Sequence, residues 1–208
     1  MDCLKPKAGN SLVRIFHAAP EAPAVDVYID GKPFIRNISY KQFSKYVNVP
    51  ENIETITLYV AGDDTQPVLE QDLDFQAGKI FTMAITGNLD NLSVEPLEES
   101  IDQMPSRDNT IVRFVHLSPN LQDIDILNQG EVIVSDLEFR EFSDYMPFPF
   151  GDFRFIVQDE ETKKNVAGIS ATLNAERIYS LYIIGEPQSL EVIQSVDGNT
   201  YACRGYYY

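Results

Sequence analysis

The chain has two histidines, His17 and His116, and they stand in matching strings. One is Val13-Arg14-Ile15-Phe16-His17, the other Val112-Arg113-Phe114-Val115-His116. An imidazole beside a carboxylate is the pairing used in general acid–base catalysis, and a neutral imidazole also ligates metals. Asp26 and Asp125 follow their histidines at equal spacing and are the carboxylates that would orient them. A nucleophilic triad would need a Ser or Cys as well. Ser44 and Ser143 recur, but a Phe-Ser-x-Tyr strand offers no strained elbow to activate a hydroxyl. Cys3 and Cys203 lie outside the repeated core.

Strand alternation decides between these readings. Val13, Ile15 and His17 share one face, as do Val112, Phe114 and His116, so each histidine falls on an apolar face at a strand end. That placement predicts structural, hydrogen-bonded imidazoles, with no catalytic centre, metal or cofactor. Arg14 and Asp26 have the outward parity and flank one short connection, which predicts a cross-strand ion pair, repeated by Arg113 and Asp125. An exposed pair is worth roughly 0–1 kcal/mol, so its recurrence argues for shielding or for a role in register.

Other candidate chemistry is sparse. Asp63-Asp64, Asp72-x-Asp74 and Asp159-Glu160-Glu161 offer oxygens, but none has the spacing of a calcium-binding EF-hand loop. The sequence shows no Gly-rich phosphate loop, no Cys/His cluster and no basic patch. A thiol near each end, Cys3 and Cys203, suits cross-linking between chains, although cytoplasmic thiols usually stay reduced. The end Thr200-Tyr201-Ala202-Cys203-Arg204-Gly205-Tyr206-Tyr207-Tyr208 is rich in tyrosine, a residue that presents large contact area at little entropic cost.

An internal repeat supplies the elements that position these residues. At an offset of 99, Asp26 meets Asp125, Gly31 meets Gly130, Phe43-Ser44-x-Tyr46 meets Phe142-Ser143-x-Tyr145, and Pro50 meets Pro149. After a one-residue slip, Ala77-x-Lys79-Ile80-Phe81 meets Ala175-x-Arg177-Ile178-Tyr179, and Gly87 meets Gly185. Within each copy, short runs rich in Val, Ile, Phe, Tyr and Thr alternate with turn residues, and no helical periodicity is sustained. Copy one reads as strands near 12–18, 24–29, 32–36, 44–49, 54–60, 67–74, 79–86 and 91–95, with Asp30-Gly31 as a hairpin turn. The fold expected is all-β: two tandem antiparallel β-sandwiches of the immunoglobulin or transthyretin kind. The boundaries expected are an arm over 1–11, sandwiches over 12–95 and 111–196, an acidic Pro-containing linker over 96–110, and a tail over 197–208.

A net charge of −16 over 208 residues, with a pI near 4.4, repels phosphate backbones and anionic headgroups. Nucleic-acid partners are therefore not expected. No apolar run approaches the ~20 residues of a membrane-spanning helix, and the first residues lack the apolar core of a secretory signal. The expectation is synthesis in the cytoplasm without a signal peptide.

The string V-R-x-x-H-x-x-P followed by D-V-Y-I-D-G resembles the bacterial and archaeal family called domain of unknown function 4397. Val13-Arg14, His17, Pro20, Pro23 and Asp26-Val27-Tyr28-Ile29-Asp30-Gly31 carry the signature, supported by Tyr46, Pro50 and Ala77-Gly78-Lys79. The second copy keeps Arg113, His116, Pro119, Asp125 and Gly130, but has Leu127-Asn128-Gln129 where the first has Tyr28-Ile29-Asp30. The resemblance implies a β-sandwich module, often repeated and usually in secreted or surface-attached proteins. The expected lack of a signal peptide departs from that pattern. The function expected is that of a non-enzymatic structural or adhesive protein of a bacterial surface or spore layer. Its partners would be further copies of itself or other coat and surface proteins. The alternative is a carbohydrate- or peptide-binding module using loops at the ends of the sandwiches.

Overall fold

The computed structural model describes residues 4–99 and 104–201. Two compact units divide at residue 100, one per copy of the repeat. The first contains β1 (Asn10–His17), β2 (Val25–Ile29), β3 (Lys32–Ile38), β4 (Val47–Pro50), β5 (Asn52–Val60), β6 (Pro67–Phe75), β7 (Ile80–Thr86) and β8 (Ser93–Glu98). The second repeats them as β9 (Asn109–His116), β10 (Ile124–Asn128), β11 (Glu131–Leu137), β12 (Met146–Pro149), β13 (Gly151–Asp159), β14 (Asn165–Leu173), β15 (Ile178–Ile184) and β16 (Glu191–Val196).

Each unit is a sandwich of two four-stranded sheets. In the first unit the strand orders are β4-β1-β7-β8 and β3-β2-β5-β6; in the second, β12-β9-β15-β16 and β11-β10-β13-β14. Neighbours run antiparallel except β1 with β7 and β9 with β15, which run parallel. Val13, Ile15, Phe81, Met83 and Ile85 from one sheet meet Val25, Val27, Ile29, Ile56 and Leu58 from the other in a single core. These are the faces that alternation predicts. At the hairpin, Asp30 and Gly31 both have positive φ (47° and 69°), the backbone that a two-residue turn matched to strand twist requires. Gln129 and Gly130 take the same shape (52° and 88°).

Four expected boundaries move: β1 begins at Asn10 and β9 at Asn109, each two residues before the expected start, and both ends shift as well. Residues 96–99, assigned to the linker, complete the first sandwich: β8 runs to Glu98 against β7, and Glu99 is buried. Asp197, assigned to the tail, is buried in the second sandwich, and Gly198–Tyr201 form a 3-10 turn. Acidic character and proline suggested a linker, but one carboxylate per copy is spent inside, on a buried arginine.

Candidate functional site

β1 is buried on both faces, and its outward side chains Arg14 and Phe16 lie under a second layer. That layer is the β3–β4 connection, laid along the end of β1. The Ser44 hydroxyl accepts the Ile15 amide (2.8 Å), the Ser44 amide donates to the Ile15 carbonyl (2.8 Å), and Lys41 donates its amide to the His17 carbonyl (2.8 Å). The Phe-Ser-x-Tyr string thus acts as a clasp. Its serine fastens it to the strand, and its two rings cover the arginine. The Arg14 guanidinium carbon sits 4.6 Å from the Phe43 ring centroid and 4.9 Å from that of Tyr46. Arg113 repeats this against Phe142 (5.4 Å) and Tyr145 (4.6 Å).

Under the clasp lies a buried polar cluster. Arg14 Nε donates to Thr82 Oγ1 (2.7 Å), and Thr82 donates in turn to Glu99. Arg14 Nη2 lies 3.1 Å from Glu99 Oε1, and the Tyr46 hydroxyl donates to the same carboxylate. In copy two, Arg113 Nε donates to Ser180 Oγ (2.8 Å), which donates to Asp197 Oδ2 (2.8 Å), and the Tyr145 hydroxyl donates there at 2.5 Å. Arg113 Nη2 is 3.9 Å from Asp197 Oδ2. A buried charge must be paired and hydrogen-bonded, and both copies supply the same four-part set for it; in copy two Arg113 Nη2 and Asp197 Oδ1 are left without a hydrogen bond. Thr82, Glu99, Ser180 and Asp197 were not singled out from sequence. The signal was available, since the offset of 98 that pairs Gly87 with Gly185 also pairs Thr82 with Ser180 and Glu99 with Asp197.

The expected ion pairs between Arg14 and Asp26, and between Arg113 and Asp125, do not form. β1 and β2 belong to different sheets, so the shared parity directs the two residues outward on opposite sides of the sandwich. Asp26 serves its own sheet instead. Its Oδ1 accepts the amide of Asn37 (2.7 Å), and its Oδ2 accepts the Gly62 amide (3.2 Å) and Arg36 Nη1 (3.2 Å). Asn37 has φ 52°, and the β2–β3 register shifts there, so the aspartate holds an amide that the bulge removes from the ladder. Asp125 does the same for Asp136 (φ 56°, 3.0 Å) and pairs with Lys163 (3.0 Å). Burial works to raise the pKa of Asp26. The amide bonds of Asn37 and Gly62 and the Arg36 charge outweigh it and hold the carboxyl below its ordinary range.

Both histidines are completely buried. His17 Nε2 lies 3.0 Å from the Pro23 carbonyl, and His116 Nε2 lies 3.2 Å from the Gln122 carbonyl. A carbonyl can only accept, so Nε2 carries a proton in each ring. His116 Nδ1 accepts the Ser118 amide (3.3 Å); His17 Nδ1 has no hydrogen-bond partner. Each ring ties β1 or β9 to the connection that crosses to the other sheet. Burial lowers both pKa values, that of His116 to about 4, against the opposing pull of the backbone bonds. Neither histidine meets Asp26 or Asp125, whose bonds lie in the opposite sheet. Among the described residues no group of three or more His, Cys, Asp or Glu gathers to hold a metal ion. No helix among them is long and apolar enough to cross a membrane. Cys3 and Cys203 lie outside the described residues.

The model for the family described as Domain of unknown function (DUF4397) matches residues 11–127 and 110–204. The chain belongs to that family. The two matches overlap over 110–127 and together span both sandwiches. No curated protein matches the sequence. Among solved structures, the chain is similar to the CBMbc carbohydrate-binding module (family CBM26) of Eubacterium rectale Amy13K in complex with maltoheptaose. Identity there is 11%, the TM-score 0.30, and coverage 91% of this chain and 99% of that one. It is also similar to a candidate adhesin from Bacteroides ovatus, at 8% identity and a TM-score of 0.26, covering 90% and 95%. Likeness at this level leaves function open.

Proposed function

We propose that the protein is a non-enzymatic structural or adhesive component of a bacterial surface or spore layer, built from two clasped β-sandwiches. One observation carries the reading. The polar residues kept in both copies, Arg14, His17, Asp26, Thr82 and Glu99 with their counterparts, are buried and bonded to the protein's own backbone and side chains. Selection on such residues preserves a rigid module rather than a reactive centre. The finer placement in a spore layer draws on Cys3, Cys203 and the tyrosine-rich end, whose thiols and phenols suit cross-linking to further copies or to other coat proteins. Oxidised chain should then run on non-reducing gels as a ladder that reductant collapses, and Cys3→Ser should cap the ladder at dimers.

Sedimentation of the purified chain across a concentration series is the principal test. Mass rising with concentration supports the structural reading. A strictly monomeric chain that binds an oligosaccharide or peptide saturably would overturn it in favour of a binding module. The observation favouring that second reading is a shallow groove of about 460 Å³ beside Phe34 and Phe43.

A further inference from the structure

The β3–β4 connection and its flanking strands form one edge of the first sandwich, because β3 and β4 are the outermost strands of their sheets on that side. β11 and β12 form the same edge of the second. Residues 31–50 contain Lys32, Arg36, Lys41 and Lys45 and no acid, in a chain with twice as many acids as bases. The aligned residues 130–149 contain Glu131, Asp136, Glu138, Glu141 and Asp144 against the single base Arg140. The same structural edge therefore carries +4 in one copy and −4 in the other. Charge is reversed outright at two positions, Lys32 against Glu131 and Lys45 against Asp144, and all four side chains are exposed. The expectation of no basic patch is corrected here: the acid-free stretch 31–50 is contiguous in sequence, and the fold lays it along a single edge.

We propose that the basic β3–β4 edge of one chain docks on the acidic β11–β12 edge of a second copy. Charge complementarity is matched by apolar surface. The first edge holds the groove lined by Phe34, Ile35, Phe43 and Val47 together with Arg36 and Lys45. The second presents Val132 and Phe142, each about half exposed (52% and 48%). Phe142 stands out because its counterpart Phe43 stacks on Phe16 at 4.0 Å, whereas Val115 replaces that ring in copy two. Opposing charges steer and orient such a contact, while pairing an edge with its own kind juxtaposes like charges. Nearby charges qualify the picture without reversing it: Arg36 also pairs with Asp26, and Lys163 with Asp125 and Glu160. Each chain carries both halves, so the contact either propagates head to tail or closes on a reciprocal pair.

This inference rests on the structural reading above and can fail separately from it. The test is sedimentation velocity of the full chain with two charge reversals, Lys32→Glu with Lys45→Glu, and Glu131→Lys with Asp144→Lys. The unmodified chain should associate, and raising salt from about 0.05 M to 1 M should weaken it at least tenfold, since the Debye length falls to about 3 Å. Each double variant alone should stay monomeric, because the reversal brings its altered edge to zero net charge and leaves the other edge without an opposite. An equimolar mixture of the two should associate again, because the unaltered acidic edge of one meets the unaltered basic edge of the other. Circular dichroism matching the unmodified chain excludes misfolding of either variant. Association that survives both reversals would overturn the edge pairing and leave the structural reading intact. A chain monomeric at every concentration and salt would overturn both.

Discussion

The two sandwiches answer one packing problem with different side chains. In the first, a glutamate reaches the clasped arginine directly (3.1 Å), and a threonine bridges beneath it. In the second, an aspartate one methylene shorter stands 3.9 Å away, and a serine bridges with bonds of 2.8 Å on both sides. The clasp shifts too: Phe43 stacks on Phe16, while Phe142 has lost that partner and faces solvent. What persists is the requirement that a buried guanidinium be met by a carboxylate, a hydroxyl and a tyrosine. What drifts is the length of each part. The arginine's charge, rather than any particular contact distance, is the property both copies keep.

The largest effects should come from removing that charge. Arg14→Met or Arg113→Met strands a fully buried carboxylate, which costs about 3–5 kcal/mol in typical cases. Hydrogen exchange read by mass spectrometry separates the two sandwiches. Protection should collapse in the domain that carries the substitution, by similar amounts for the two variants. If Arg113→Met were neutral, the longer pair in copy two would not be a working pair, and the equivalence of the clusters would break.

Next in size is the turn after the parallel strand. Gly87 and Gly185 have φ of 99° and 95°, where an L side chain is strained by about 1–3 kcal/mol. An added Cβ would also lie 2.2 Å from the Asn91 carbonyl oxygen, or 2.6 Å from that of Ser189. Gly87→Ala should therefore lower the melting temperature more than Gly185→Ala, and both more than Gly31→Ala, where a Cβ meets open space. Equal effects at all three would mean that backbone strain alone, without the clash, governs these turns.

How legible was this in the sequence? Alternation gave the inner faces of β1, β2 and β7, because a period of two needs only local information. The Asp30-Gly31 pair gave the hairpin, and the repeat gave the paired glycines. It could not show that β1 and β2 lie in different sheets, so equal parity was read as proximity and Arg14 was joined to the wrong acid. Burial of an arginine was hidden for a related reason: the residues that cover it, Tyr46 and Glu99, lie 32 and 85 positions away. Glu99 sits among acids that look like linker, and only its pairing with Asp197 across the repeat distinguishes it.

A smaller effect tests the bulge. Asp26 holds two backbone amides and Asp125 one. Replacing either by Ala leaves a bulge amide without its acceptor, at a cost of about 1–3 kcal/mol. Asp26→Ala should fall toward the upper end and Asp125→Ala toward the lower, as measured by urea unfolding. The reverse order would show that Lys163 contributes more to copy two than the amides do to copy one.

The effect that separates the copies most sharply is acid sensitivity at the histidines. Both folded-state pKa values are depressed, so the unfolded chain binds the proton more readily. Stability from each histidine is complete above the ordinary value of 6.5 and declines as pH falls, until the folded form protonates as well. For His116 that window runs from 6.5 down to about 4. Burial depresses both, and the two rings also differ at Nδ1. A proton there in copy two would point at the Ser118 amide, setting donor against donor, whereas His17 Nδ1 faces no hydrogen-bond partner. Copy two should therefore soften first on acidification. Thermal melts at pH 7 and pH 4.5 should show a drop of several degrees in the native chain. His116→Gln should remove more of that drop than His17→Gln, since a neutral amide has no proton to take up. A drop left unchanged by His116→Gln would assign the acid sensitivity to the carboxylates and break the proposed difference between the copies.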